Sequence, residues 1–333
     1  EKMVDMVLTN YNLSATPLEL LVLLMRRFCV PPTCNVSPEE SETSASKQGT
    51  IRMSVLIFIN IWIRKYCVDF QNDDQLNSTV IRYLELIKNS KLNGEEEEVA
   101  SLSLNLLKSP APETTHLHTV EDLKKAGEES SKEKKFDKVK ATVFAEQLTL
   151  RHFAIYQSIT PREFLKTGWS KPDKKERSPF IVEMTEHYNS LARFVQRTIL
   201  SATELRKRAQ VMTKWLEIGD CCFEHQSYHA VGAIYAGLSS DAVYRLWKTK
   251  ELLGKKAKLF DKLKQIIKRD GNSKDYRTLL ENSFSSCVPY LPTFCGDLEK
   301  TETANESSIL GMINFYKHQT RMDIIIKVLR FQQ

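Results

Sequence analysis

Residues 144–171 read "FAEQLTLRHFAIYQSITPREFLKTGWSK", and this stretch sets the character of everything after it. An amphipathic pattern begins near residue 141 and carries through the first half, as a helix with one face toward a core would require. Thr160-Pro161-Arg162-Glu163 then has the form of a capping box, with proline at the first helical position, where its missing N–H costs nothing. Gly168 and Ser170-Lys171-Pro172 put Trp169 at a helix–loop junction, which favours a contact role over a core one for that aromatic.

Outward from this stretch the chain continues as helix. Ser178-Pro179 predicts a helix start, and Ser201 with Glu204 predicts a second capping box ahead of "LRKRAQVMTKWLEIG". The N-terminal block follows the same rules. Thr16, Pro17 and Glu19 predict a capped helix, and Ile51, Val55, Phe58, Trp62 and Tyr66 fall on one face of another. "PPTCNVSPEESETSASKQG" reads as a loop, and Leu76 to Ile87 as a further helix. No period-2 run of useful length occurs, and no internal repeat. The expected fold class is all-α, with two helical domains.

Residues 89–138 are charged and poor in apolar side chains. Such a stretch cannot bury enough surface to offset its ordering entropy, so 89–140 reads as a linker, with short docked pieces allowed near Leu102–Leu107 and Val120–Leu123. The domains are then 1–88 and 141–333.

Bulk properties exclude several functions. A net charge of +6 is too mild and too dispersed for a nucleic-acid surface. Seven cysteines without a CxxC pair give no disulfide framework and fit a reduced, cytoplasmic protein. The opening "EKMVDMVLTN" lacks the apolar core of a signal peptide, and Met53 to Ile63 is too short to span a bilayer. Cys221, Cys222, His225 and His229 invite a metal reading, but adjacent cysteines diverge on a helix and packing is the better account. The basic amphipathic run "KKAKLFDKLKQIIKRD" (255–270) can serve a membrane surface or simply a scaffold helix, and the scaffold is favoured. Trp62, Trp215 and Trp247 are assigned to the core. No nucleophile–base pair points to a hydrolase.

The ordered motifs carry a family likeness. The 144–171 stretch, "GLSSDAVYRLWKT" (237–249), "CVPYLPTFCGDLEKTETAN" (287–305) and "INFYKHQTRMDIIIKVLRFQQ" (313–333) resemble the catalytic domain of Ras-family guanine nucleotide exchange factors. "LTNYNLSATPLELLVLLMRRFCVPP" and "IRMSVLIFINIWIRKYCVDF" are similar to the N-terminal Ras exchanger motif domain that accompanies it. The likeness covers roughly 1–88 and 141–333, and the chain reads as an excised fragment.

The resemblance implies a small N-terminal domain bracing a larger catalytic domain from which a helical hairpin protrudes. It implies that the hairpin opens a small Ras-family GTPase (Ras, Rap or Ral type) near its first switch and Mg²⁺ site, and that the nucleotide-free partner is preferred. No cofactor and no covalent chemistry are implied, and membrane association would come through the partner. Trp169, Thr185, Asn189, Tyr244, Tyr276 and Tyr290 match positions that grip the GTPase. At the hairpin, a gapless match sets Glu299 and Thr303 on the family's apolar and carboxylate positions. A shift by one residue sets Leu298 and Glu302 there, four apart and on one helical face, and this is the favoured catalytic pair. Gln226-Ser227-Tyr228-His229 replaces the family's N-N-F-N stretch. Pro292 stands where the family has glycine, Cys295–Gly296 near a usual apolar residue. These departures support the alternative, a helical scaffold that binds a GTPase without ejecting its nucleotide.

Overall fold

A computed structural model describes residues 2–29, 38–90, 94–108, 136–268, 270–283, 286–309 and 311–332. The described residues are helical apart from turns, an isolated bridge between Ser227 and Val288, and one two-residue ladder. The chain divides into two units, Glu1–Thr115 and His116–Gln333.

The first unit contains α1 (Lys2–Asn10), α2 (Pro17–Phe28), α3 (Pro38–Lys65), α4 (Cys67–Gln71), α5 (Asp74–Lys88) and α6 (Gly94–Lys108). The Thr16 capping box forms as read: Thr16 Oγ1 accepts from Glu19 N–H, and Thr16 N–H donates to Glu19 Oε2 at 2.7 Å. Leu8, Leu21, Leu56, Ile59, Trp62, Leu76 and Leu84 fill the core.

Two expectations change here. The stretch read as a loop is helical from Pro38 onward and continuous with the apolar part of α3. Between Pro38 and Gly49 there is no proline or glycine to break a helix, and a polar composition is as compatible with a helix as with a loop. Residues 94–108, placed in the linker, form α6 and pack on α3 and α5. Three glutamates stabilise its first turn against the helix dipole, Glu96 pairs with Arg52 at 3.0 Å, and Ala100 and Leu104 are buried. The remaining linker assignment, 109–135 with Val120–Leu123, lies outside the described residues.

The second unit contains α7 (Ala141–Gln157), a 3₁₀ segment (Pro161–Ser170), α8 (Lys174–Arg177), α9 (Pro179–Leu200), α10 (Leu205–Glu224), α11 (Tyr228–Leu238), α12 (Asp241–Tyr244), α13 (Trp247–Glu251), α14 (Ala257–Ile267) and α15 (Lys274–Glu281). It closes with α16 (Leu291–Ala304), the ladder β1 (Ser308–Ile309) to β2 (Met312–Ile313), and α17 (Phe315–Leu329). The unit begins before residue 141, since Phe136 stacks on the buried Trp215 with ring centroids 4.8 Å apart.

Helix α11 is apolar nearly all round and packs on α7, α9, α10 and α14, as a central core helix must. The apolar face of α14 is used in the same core through Leu263 and Ile266, which leaves Lys258 and Lys264 to solvent while Lys262 pairs with Asp220. Ser201 and Glu204 do not form the expected capping box. Ser201 Oγ instead donates back to Arg197 O at the end of α9, and Glu204 itself occupies the N-cap position of α10. Trp247 is 60% exposed rather than core, because α13 is a single short turn that buries Thr249 instead.

Candidate functional site

The site is built on one buried carboxylate. Glu163 accepts from Thr160 N–H at 3.1 Å, closing its own turn, and its other oxygen accepts from Phe180 N–H and Ile181 N–H at 2.8 and 3.1 Å. It therefore caps α9 from outside, occupying orphan donors that Ser178 leaves open. Ser178 Oγ points back and donates to Glu163 O at 2.6 Å. Burial raises the Glu163 carboxyl above its ordinary range, against the pull of these backbone donors. Leu165, Lys166 and Thr167 then leave helical geometry, the last two with φ of 49° and 52°. That turn delivers Trp169 to the surface beside α9.

Trp169, Thr185, Tyr188, Tyr290, Glu299 and Thr303 line a groove of about 820 Å³ in the second unit. Its floor is made by close packing. A Cβ on Gly232 of α11 would meet the edge of the Tyr290 ring at 2.6 Å, so glycine is needed for the ring to sit this close. Tyr188 O–H donates to the Gly232 carbonyl at 3.1 Å, and burial pushes its phenol well up. His229 lies beneath, its ring centroid 5.3 Å from Tyr188, and its Nε2 faces Met184 O at 3.3 Å. Burial lowers His229 to about 4, lowers His187 to about 4, and lowers His152 well below the ordinary range. These three imidazoles are neutral packing groups at physiological pH. His225 ends α10 and does not share a helix with His229. Among the described residues no group of three or more His, Cys, Asp and Glu is placed to hold a metal ion.

The groove's second wall is α16. Leu291, Phe294, Leu298 and Thr301 recur at helical spacing and are buried, so they form its core face. Leu298 is 1% exposed and cannot reach a partner; the catalytic assignment made for it from the sequence is corrected on that ground. Glu302 is corrected too. Although it borders a second, shallower cleft with Lys166, Thr167 and Ser170, both its oxygens are committed to cations of α17. The pair that faces the groove is Glu299 and Thr303, the gapless pair. Trp169 Nε1–H donates to Glu299 Oε1 at 3.3 Å.

The other residues singled out in the sequence separate into groups. Thr185 is exposed on α9 at the groove wall, and Asn189 is exposed one turn further along the same face. Tyr290 lines the groove. Tyr244 is 66% exposed on α12, outside the groove, with Lys250 Nζ 4.1 Å from its ring centroid. Tyr276 is fully buried, so its assignment as a contact fails: its hydroxyl accepts from Tyr290 N–H and thereby seats the groove's floor. Its polar neighbours in sequence, Lys274 and Asp275, are exposed and lie on other faces of α15. Arg277 was missed. It ties α15 to α16 through Asp297 at 2.7 Å, and its spacing after Tyr276 gave no signal.

Among the described residues no helix is long and apolar enough to cross a membrane. Residues 143–319 match the RasGEF domain, and residues 1–83 match the RasGEF N-terminal motif. The chain is 33% identical over 307 residues to Ras-specific guanine nucleotide-releasing factor 1 of Rattus norvegicus, covering 90% of this chain and 24% of that protein. It is 32% identical over 310 residues to Ras-specific guanine nucleotide-releasing factor 2 of Danio rerio, covering 91% and 24%. Ras guanine nucleotide exchange factor J of Dictyostelium discoideum is 30% identical over 343 residues, 98% of this chain and 40% of that protein. The chain thus spans about a quarter of the length of the first two relatives.

Proposed function

The chain belongs to the RasGEF-domain family, and from this we propose that it is a guanine nucleotide exchange factor for a small Ras-family GTPase. The relatives are named for releasing guanine nucleotide from Ras, and the reading carries that activity over. The observation that supports it best is the groove itself, lined by the aromatics Trp169 and Tyr290 and walled on its far side by α16.

Exchange needs no bond chemistry. A GTPase holds its nucleotide through backbone N–H groups on the phosphates and through Mg²⁺. A catalyst must bind the opened, empty GTPase better than the loaded one, since only differential affinity shifts the equilibrium. In this reading Trp169, Thr185, Asn189, Tyr244 and Tyr290 hold the partner, and the exposed edge of α16 enters near the Mg²⁺ site. Glu299 supplies the carboxylate that competes for phosphate-binding groups, with Thr303 one turn on. The partner is of Ras, Rap or Ral type, the chain acts on it without covalent chemistry, and it meets membranes through it.

A second reading has its own support. With Glu299 and Thr303 toward the groove, the family's apolar and carboxylate positions hold a carboxylate and a hydroxyl, which favours a scaffold that grips without ejecting. Ras, Rap and Ral-type GTPases loaded with fluorescent GDP separate the two. Acceleration of release from any of them supports exchange; tight binding of the empty GTPase without acceleration supports the scaffold.

A further inference from the structure

Two cations are buried where α16 meets α17. Lys317 is 3% exposed and Arg321 is 1% exposed, four residues apart on one face of α17. Glu302, in the last turn of α16, receives both: Lys317 Nζ lies 2.9 Å from Oε2 and Arg321 Nε 2.8 Å from Oε1. Burial pushes the Glu302 carboxyl up, but Lys317 and Arg321 outweigh it and hold its pKa below the ordinary value, so it is ionised at neutral pH.

Lys317 does more than pair. Its ammonium also lies 2.8 Å from Asn305 O, 3.2 Å from Glu302 O and 3.2 Å from Ser307 Oγ. The carbonyls at a helix C-terminus have no partner within the helix and carry the negative end of its dipole. One buried ammonium therefore closes the end of α16, neutralises a carboxylate in its last turn, and belongs to the helix that returns. Arg321, one turn further along, brings a second cation to the same carboxylate. Apolar side chains of similar volume would hold the two helices together as well or better, because desolvating ions is costly. What an ion cluster adds is direction, with each donor fixing one oxygen.

We propose that Glu302, Lys317 and Arg321 form a latch that fixes the angle between α16 and α17, and that Glu302 is a positioning residue for nucleotide release. The inference rests on the exchange reading above. Glu299 and Thr303 share α16 with Glu302 but face the groove, so any pivot of the helix end displaces them directly. A misplacement of about 1 Å can cost on the order of a hundredfold in rate.

The test uses the full chain with Glu302→Gln, Lys317→Met and the two combined, and Ile218→Ala, buried on α10, as a destabilised control. Three quantities are measured: amide hydrogen exchange across 299–308, the maximal rate of fluorescent GDP release at saturating chain, and affinity for the nucleotide-free GTPase. Each latch variant is expected to speed hydrogen exchange at the end of α16 and to slow maximal release by about tenfold or more. Affinity should change by less than about threefold, and the pair should be no worse than the worse single, because both residues act as one unit. Lys317→Arg should restore part of the rate. The Ile218→Ala control should leave maximal release intact.

Glu302→Gln keeps the side chain's shape, so it carries the test if Lys317→Met does not fold. Unchanged hydrogen exchange in Glu302→Gln overturns the latch, whatever the GTPase does. Unchanged maximal release, with the unmodified chain active, overturns the positioning role alone. No acceleration by the unmodified chain overturns the exchange reading and the release role with it.

Discussion

Trp169 and Glu299 meet across the groove, the indole N–H on the carboxylate at 3.3 Å, joining the 3₁₀ segment to α16. The contact is exposed and long, so it contributes little to stability and opens at small cost when a partner enters. Replacing Trp169 with Ala should weaken binding of an empty GTPase by about 2 kcal/mol or more, as loss of an aromatic anchor does. Circular dichroism and thermal melting should show the fold retained. A variant that unfolds while its residual folded fraction binds normally would show that Trp169 is a packing residue.

The face assignment of α16 makes a sharper contrast. Leu298→Ala empties a fully buried site and should cost about 2–5 kcal/mol in urea unfolding. Glu299→Ala and Thr303→Ala should leave unfolding nearly unchanged and alter GDP release instead. Equal stability losses at 298, 299 and 303 would mean that the helix is rotated from its described position.

Tyr276 should behave as a support. Tyr276→Phe removes the hydroxyl that accepts Tyr290 N–H and should lower stability by about 1 kcal/mol, while Tyr244→Ala should lower affinity and leave stability alone. Melting and binding measured on both variants check the pair. The reverse pattern would place Tyr276 at the interface.

Acid sensitivity follows from the three histidines. Their pKa values are lowered in the fold, so between about pH 6.5 and pH 4 the unfolded chain binds protons that the folded chain does not. Stability of the second unit should therefore be full above about pH 6.5 and should fall as pH falls below it. For His229, from 6.5 to about 4, the contribution is on the order of 3 kcal/mol. Thermal midpoints between about pH 7.5 and pH 5 measure it, and His187→Gln should flatten the curve. Identical curves for both proteins would rule His187 out as a source.

The helices were legible where local rules decide them. Thr16, Pro17 and Glu19 form the cap that their spacing implies, and α5 spans the stretch read from Leu76 to Ile87. The polar first half of α3 was not, because a helix and a loop can share a polar composition. Glu204 was read as one half of a capping box but acts as the N-cap position itself, a difference of three residues that the same letters allow. At the site, Trp169 and Tyr290 were singled out by their motifs, and both line the groove. The register of α16 was open to a closer reading: Leu291, Phe294 and Leu298 already form an apolar stripe, which puts Glu299 on another face. The burial of Tyr276 and the clustering of Lys317 and Arg321 on Glu302 depend on contacts between distant segments, and no local pattern encodes them.

The most direct test of the central claim is stopped-flow release of a fluorescent GDP analogue from Ras, Rap and Ral-type GTPases at several Mg²⁺ concentrations. The unmodified chain should accelerate release from at least one of them by orders of magnitude over the GTPase alone, and Trp169→Ala should lose that acceleration at subsaturating concentration. Tight binding of the nucleotide-free GTPase with release no faster than the intrinsic rate would contradict exchange and leave a GTPase-binding scaffold.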